Sequence, residues 1–160
     1  MTRTFRSALV AGFVTLATLG AADNLRAAAP VKNESPEMLD ALSEAQAKAV
    51  LGEIGTGFEK IKPGLYRTSI DGFNVVLIVD NGCVTIAVAF ADLGVSLKEV
   101  NKWNRSKRFA RLYLDEDDDP ILTADLELNG GVTLDNVKEW AKTYKICLTI
   151  FRAAMKGKML

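Results

Sequence analysis

Apolar residues recur with two periods along the chain, and the switches between them divide it into elements. Leu39, Leu42, Ala45 and Ala49 repeat every three or four residues, the spacing of one helix face. Ser35 and Pro36 stand ahead of them, where serine can cap free backbone N–H groups and proline fits the first helical position. Gly52 and Gly55 mark the end of this helix. Three runs rich in β-branched residues follow, at 65–70, 73–79 and 83–90. Asp71-Gly72 and Asn81-Gly82 separate them, and both dipeptides supply the positive φ angles of two-residue hairpins. The pattern predicts an antiparallel meander.

A short helix over 96–104 comes next, with Ser96 as cap and Glu99 at the spacing of a capping box. A second hairpin pairs 108–115 with 121–129. Gly130-Gly131 then breaks the chain, and Thr133 caps a terminal helix in which Val137, Trp140, Tyr144, Cys147 and Phe151 share one stripe. The fold class is α+β: a largely antiparallel sheet of about five strands packed with three helices.

In the second hairpin, Ala110, Leu112 and Leu114 alternate with Phe109, Arg111 and Tyr113, and Leu122, Ala124, Leu126 and Leu128 alternate with Thr123, Asp125 and Glu127. For the two apolar faces to coincide, paired residue numbers must sum to an even value. A sum of 236 sets Arg111 opposite Asp125; a sum of 234 sets it opposite Thr123, with Asp125 on the diagonal. Leu112, Leu126 and Trp140 are expected to be buried together. Phe109, Arg111, Tyr113 and Asp125 form the candidate binding face, and cover by a helix or loop is the competing account of its aromatics.

The first residues read as an export signal. Arg3 and Arg6 precede an uncharged apolar stretch from Ser7 to Ala22, shorter than the roughly 20 residues a membrane span needs. Cleavage is expected between residues 22 and 29, with small residues at Ala22 and again at Ala29. Residues 1–22 are thus assigned to a signal peptide, 23–35 to a mobile lead-in and 36–156 to one domain. Periplasmic or secreted location follows, without stable membrane insertion after cleavage.

Composition removes more functions than it offers. The chain has no histidine, which excludes histidine-based triads, general bases and metal ligands. Basic and acidic residues balance at 20 each, so no positive field attracts nucleic acid. Glycines 52, 55 and 57 lack the Lys-Ser/Thr pair of a phosphate loop. Asp115, Asp117 and Asp119 have the spacing of a calcium loop, but Pro120 and Leu126 occupy the positions that need glycine and a bidentate acid. The acidic run reads as a solvated turn, and no metal or cofactor is expected. Cys83 and Cys147 form a possible disulfide in an oxidising compartment, or remain free with Cys147 as an apolar filler.

One further pattern is specific. Val100-Asn101-Lys102-Trp103-Asn104, Arg108-Phe109, Arg111 to Asp115, Asp125-Leu126 and Gly130-Gly131-Val132 resemble the YbjN family of small bacterial proteins, sometimes labelled regulators of sensory transduction. The resemblance runs from about Pro36 to Met155. It implies a type III secretion chaperone-like fold and no catalytic residues. Trp103, Asn104, Gly130 and Gly131 are its structural motif: Trp103 pins the short helix to the sheet, and Asn104 ends it. The chain is therefore expected to be a non-enzymatic exported protein with a protein or peptide partner, a homodimer being compatible. A small-ligand or cation-sensing module and a carboxylate-dependent hydrolase are the alternatives.

Overall fold

In the computed structural model, which describes residues 36–156, the chain enters as a two-residue strand and not as a helix. The export segment 1–22 and the lead-in 23–35 lie outside the described residues. Strand β1 (Met38–Leu39) pairs antiparallel with β8 (Val132–Thr133). Helix α1 starts later than expected and spans Glu44–Ile54. Ser43 is its true cap: its hydroxyl accepts from the Gln46 N–H at 3.3 Å, while the Gln46 side chain accepts from the Ser43 N–H at 2.8 Å. That reciprocal pair satisfies two free donors and overrides the Ser-Pro signal upstream. The buried stripe is accordingly Ala47, Val50, Leu51 and Ile54, with Ala45 and Ala49 exposed.

The main sheet has six strands, in the order β2-β3-β4-β5-β7-β6, all antiparallel to their neighbours. Strand β2 (Thr56–Lys62) is the addition to the expected set. It lies at the sheet edge, is exposed along nearly its whole length and is interrupted by register shifts. No alternation of burial can show through such a strand. Strands β3 (Leu65–Ile70), β4 (Phe73–Asp80) and β5 (Cys83–Ala89) form the meander. Asp71, Gly72, Asn81 and Gly82 all have positive φ, as their two-residue turns require.

Helix α2 (Leu97–Ser106) keeps the Ser96–Glu99 capping box. Strands β6 (Arg111–Leu114) and β7 (Pro120–Glu127) make the second hairpin, and helix α3 (Leu134–Met155) closes the domain. Gly130 and Gly131, both at φ 89°, carry β7 into β8 and the Thr133 cap.

One face of the sheet is core. Val75 and Leu77, Val84, Ile86 and Val88, Leu122 and Ala124, and Leu112 all point to it and are buried. Helix α3 covers them with Val137, Ala141, Tyr144, Leu148 and Phe151, and α1 packs against α3. Phe151 touches the rings of Phe90 and Trp103 at 4.8 and 5.4 Å, and Phe90 meets Phe73 at 5.3 Å. Burying each such side chain contributes about 1.5–3 kcal/mol. Leu126 and Trp140 are only partly buried, so the expected trio reduces to Leu112 among the fully buried residues; Leu122 and Leu128 stand with it.

Candidate functional site

The opposite face of the sheet carries no helix among the described residues. It is formed by the residues that alternate with the core positions: Arg67, Val76, Ile78, Thr85, Ala87, Asp125, Arg111 and Tyr113. No helix among the described residues covers the second hairpin on this side, and Tyr113 is 45% exposed. The β6–β7 register follows the sum of 234: Arg111 lies opposite Thr123, and its guanidinium reaches diagonally to Asp125. Thr85 donates its hydroxyl to the other Asp125 oxygen at 2.7 Å. Asp125 is thus held from two neighbouring strands. As an exposed pair, Arg111–Asp125 contributes about 0–1 kcal/mol to stability.

Phe109 departs from the expected alternation. Strand β6 begins only at Arg111, and Phe109 sits in the preceding loop at φ 70°, with its ring 73% exposed. Positive φ strains a bulky residue by roughly 1–3 kcal/mol. Three hydrogen bonds from two side chains hold this turn. Trp103 donates its indole N–H to the Ala110 carbonyl at 3.1 Å, and the Asn104 amide holds Leu112. A depression of about 540 Å³ opens beside the turn, lined by Asn104, Lys107, Phe109, Arg111, Thr123 and Asp125 among others. The depression thus brings together Phe109 from the loop and Arg111 and Asp125 from the sheet, while Tyr113 lies with Arg111 and Asp125 in a second hollow.

Trp103 is buried, packs edge-on against Phe151 of α3 and donates to the Ala110 carbonyl just ahead of β6. Asn104 does something else. The helix continues past it to Ser106, and its side chain pairs with the outer edge of β6.

The acidic run is a structured turn. One Asp115 oxygen accepts from the backbone N–H groups of Asp117 and Asp119 at 3.0 and 2.9 Å, and Asp119 accepts from the Asp92 N–H at 2.9 Å. Asp115 and Asp119 spend their carboxylates on backbone donors, while Asp117 and Asp118 face water. Among the described residues, no group of three or more histidines, cysteines or acids is placed to hold a metal ion.

Both cysteines are free. Cys83 alternates with buried Val84 and so points to the open face, whereas Cys147 lies on α3 across the sheet. The sheet itself separates the thiols, so the disulfide is not formed. Cys147 approaches the Arg108 carbonyl at 3.5 Å, and burial raises its pKa against a smaller opposing pull from Lys107. Tyr144 is the other perturbed acid: burial pushes its phenol far up, and its hydroxyl donates to the Leu122 carbonyl at 2.9 Å. Both groups belong to the core side and take no part in the open face.

A family match and a solved structure place the chain among known proteins. The model of the YbjN family, described as "Putative bacterial sensory transduction regulator", matches residues 67–152, from β3 into α3. A crystal structure titled "YbjN, a putative transcription regulator from E. coli" superposes with a TM-score of 0.51 at 12% identity, covering 72% of this chain and 97% of that one. At that identity the likeness concerns the fold. No curated protein sequence matches.

Proposed function

Because the chain belongs to the YbjN family, we infer that it is a non-catalytic, exported regulatory protein that takes a protein or peptide partner on the open face of its sheet. The observation that carries this reading is a rigid strand face left uncovered among the described residues, with Arg111, Tyr113 and Asp125 on it and Phe109 at its margin. Aromatics and arginine give large contact area and directional charge at low entropic cost, which is how partner-binding centres are composed. A chain that holds an exposed phenylalanine in a strained backbone conformation keeps it for contact rather than for stability.

Absence of catalysis rests on chemistry. The chain has no histidine, and the two Asp125 oxygens are already engaged, one by Arg111 and the other by Thr85. Export rests on Arg3, Arg6 and the apolar stretch after them.

Two measurements test the reading. Mass spectrometry of the protein from its host should find a chain beginning between Ala22 and Lys32; an intact Met1 in the cytosol contradicts export. Capture from a periplasmic extract should enrich a specific protein with the wild type and lose it with Arg111→Ala. Equal recovery by both would remove the open face from the account.

A further inference from the structure

Six residues form an unbroken row across the open face, one from each strand of the large sheet. The register pairs Glu59 with Arg67, Arg67 with Val76, Val76 with Ala87, Ala87 with Thr123 and Thr123 with Arg111. An ion pair stands at each end. Glu59 and Arg67 meet at 2.5 Å on β2 and β3, and Asp125 and Arg111 meet on β7 and β6. In sheet order the two pairs therefore read acid, base, then a small apolar centre, then acid, base. That order has a consequence for symmetry. A two-fold axis parallel to the strands, between β4 and β5, sets β2 of one copy over β6 of the other, β3 over β7 and β4 over β5. Glu59 then faces the second copy's Arg111, Arg67 faces the second copy's Thr123 with Asp125 one row along the same strand, and Val76 lies over Ala87.

We propose that a second copy of this chain is the occupant of the open face when no other partner is present, in an isologous sheet-on-sheet dimer. The contact is self-complementary in sign at its two outer edges, where Glu59 of each copy meets Arg111 of the other, as a two-fold interface requires. Arg111 and Glu59, the outermost charges, have side chains 70% and 56% exposed and can turn to new partners. Small side chains at Ala87 and Thr85 leave room for Val76 and Ile78 at the sheet-to-sheet spacing of about 10 Å. Six strands at about 4.8 Å spacing make the face roughly 24 Å wide between its outer strands. With three side-chain rows the footprint is about 500 Å² per copy, near the lower limit of a specific interface, so the dimer is reversible. This rests on the partner-binding reading and adds its regulation: self-pairing and partner binding use one surface and exclude each other.

Sedimentation of the purified protein over a concentration series reaching roughly 100 µM spans the affinity expected of such a contact. The wild type should pass from monomer to dimer. Arg111→Glu and Glu59→Arg should each weaken dimerisation at least about tenfold, because each sets like charges face to face. The double variant Glu59→Arg with Arg111→Glu should restore it. Within one chain these residues lie at opposite sheet edges, roughly 24 Å apart, so rescue can arise only between copies. A wild type that stays monomeric, or a double variant that is not rescued, overturns the proposal. A monomeric wild type that still captures a partner through Arg111 overturns self-pairing while leaving the partner reading standing. A dimer that obeys the charge swap but captures nothing supports self-pairing and removes the partner reading.

Discussion

The Asn104 side chain pairs with the backbone of Leu112 as another strand would: its amide donates to the Leu112 carbonyl and its oxygen accepts from the Leu112 N–H, both at 2.9 Å. Strand β6 is an edge strand, and this one side chain satisfies a donor and an acceptor that would otherwise invite a further strand. The edge is closed, which leaves the open face as the surface for contact on this side of the sheet.

Asn104→Ala should therefore cost about 1–3 kcal/mol in denaturant unfolding, since it leaves two part-buried backbone groups without partners. Asn104→Asp should be no better. It keeps the acceptor for the Leu112 N–H but sets a carboxylate against the Leu112 carbonyl. A variant as stable as the wild type would mean that water replaces the amide without cost.

Phe109→Gly should raise stability by about 1 kcal/mol or more, because glycine adopts φ 70° without strain and the lost ring is exposed. Thermal unfolding reads this directly. The same variant should capture less partner. A loss of stability would show that the ring packs against the fold.

Tyr144 gives the alkaline limit. Its folded pKa lies above the ordinary value of about 10, so the stability it contributes is complete below pH 10 and is lost as pH rises toward the raised value. The wild type should lose about 1.4 kcal/mol per pH unit above pH 10 from this group alone. Tyr144→Phe should be less stable near neutrality, by about 1 kcal/mol for the lost hydrogen bond, and its alkaline slope should be shallower by that same 1.4 kcal/mol per unit. Parallel slopes would contradict the buried phenol.

Much of the fold could be read ahead of the structure, and the exceptions have physical reasons. Asp71-Gly72 and Asn81-Gly82 settled the meander because few dipeptides supply two successive positive φ angles. Ser96 and Glu99 settled the start of α2 in the same way. Strand β2 was hidden because Gly57, Glu59, Lys60 and Lys62 lie on an exposed, irregular edge with no buried face to pattern. At α1 the Ser35-Pro36 signal put the start too early, because the Ser43–Gln46 pair, which satisfies two donors, sets it.

At the candidate site, Arg111, Tyr113 and Asp125 were legible because strand alternation fixes their face. The left-handed backbone of Phe109 was not, since nothing in its residue type suggests it. Nor was the two-point contact of Asn104, which depends on a strand eight residues on. The parity of the hairpin sum restricted Arg111 to two positions, and only the three-dimensional register chose between them.

The central claim is that the face bearing Tyr113 is a surface and not a second core, and Tyr113→Ala measures it most directly. Equilibrium unfolding of that variant should show a loss of at most about 1.5 kcal/mol, the scale of strand propensity and a half-exposed ring. A loss of about 3 kcal/mol or more, the cost of truncating a buried aromatic, would mean that this face is covered and would contradict the account.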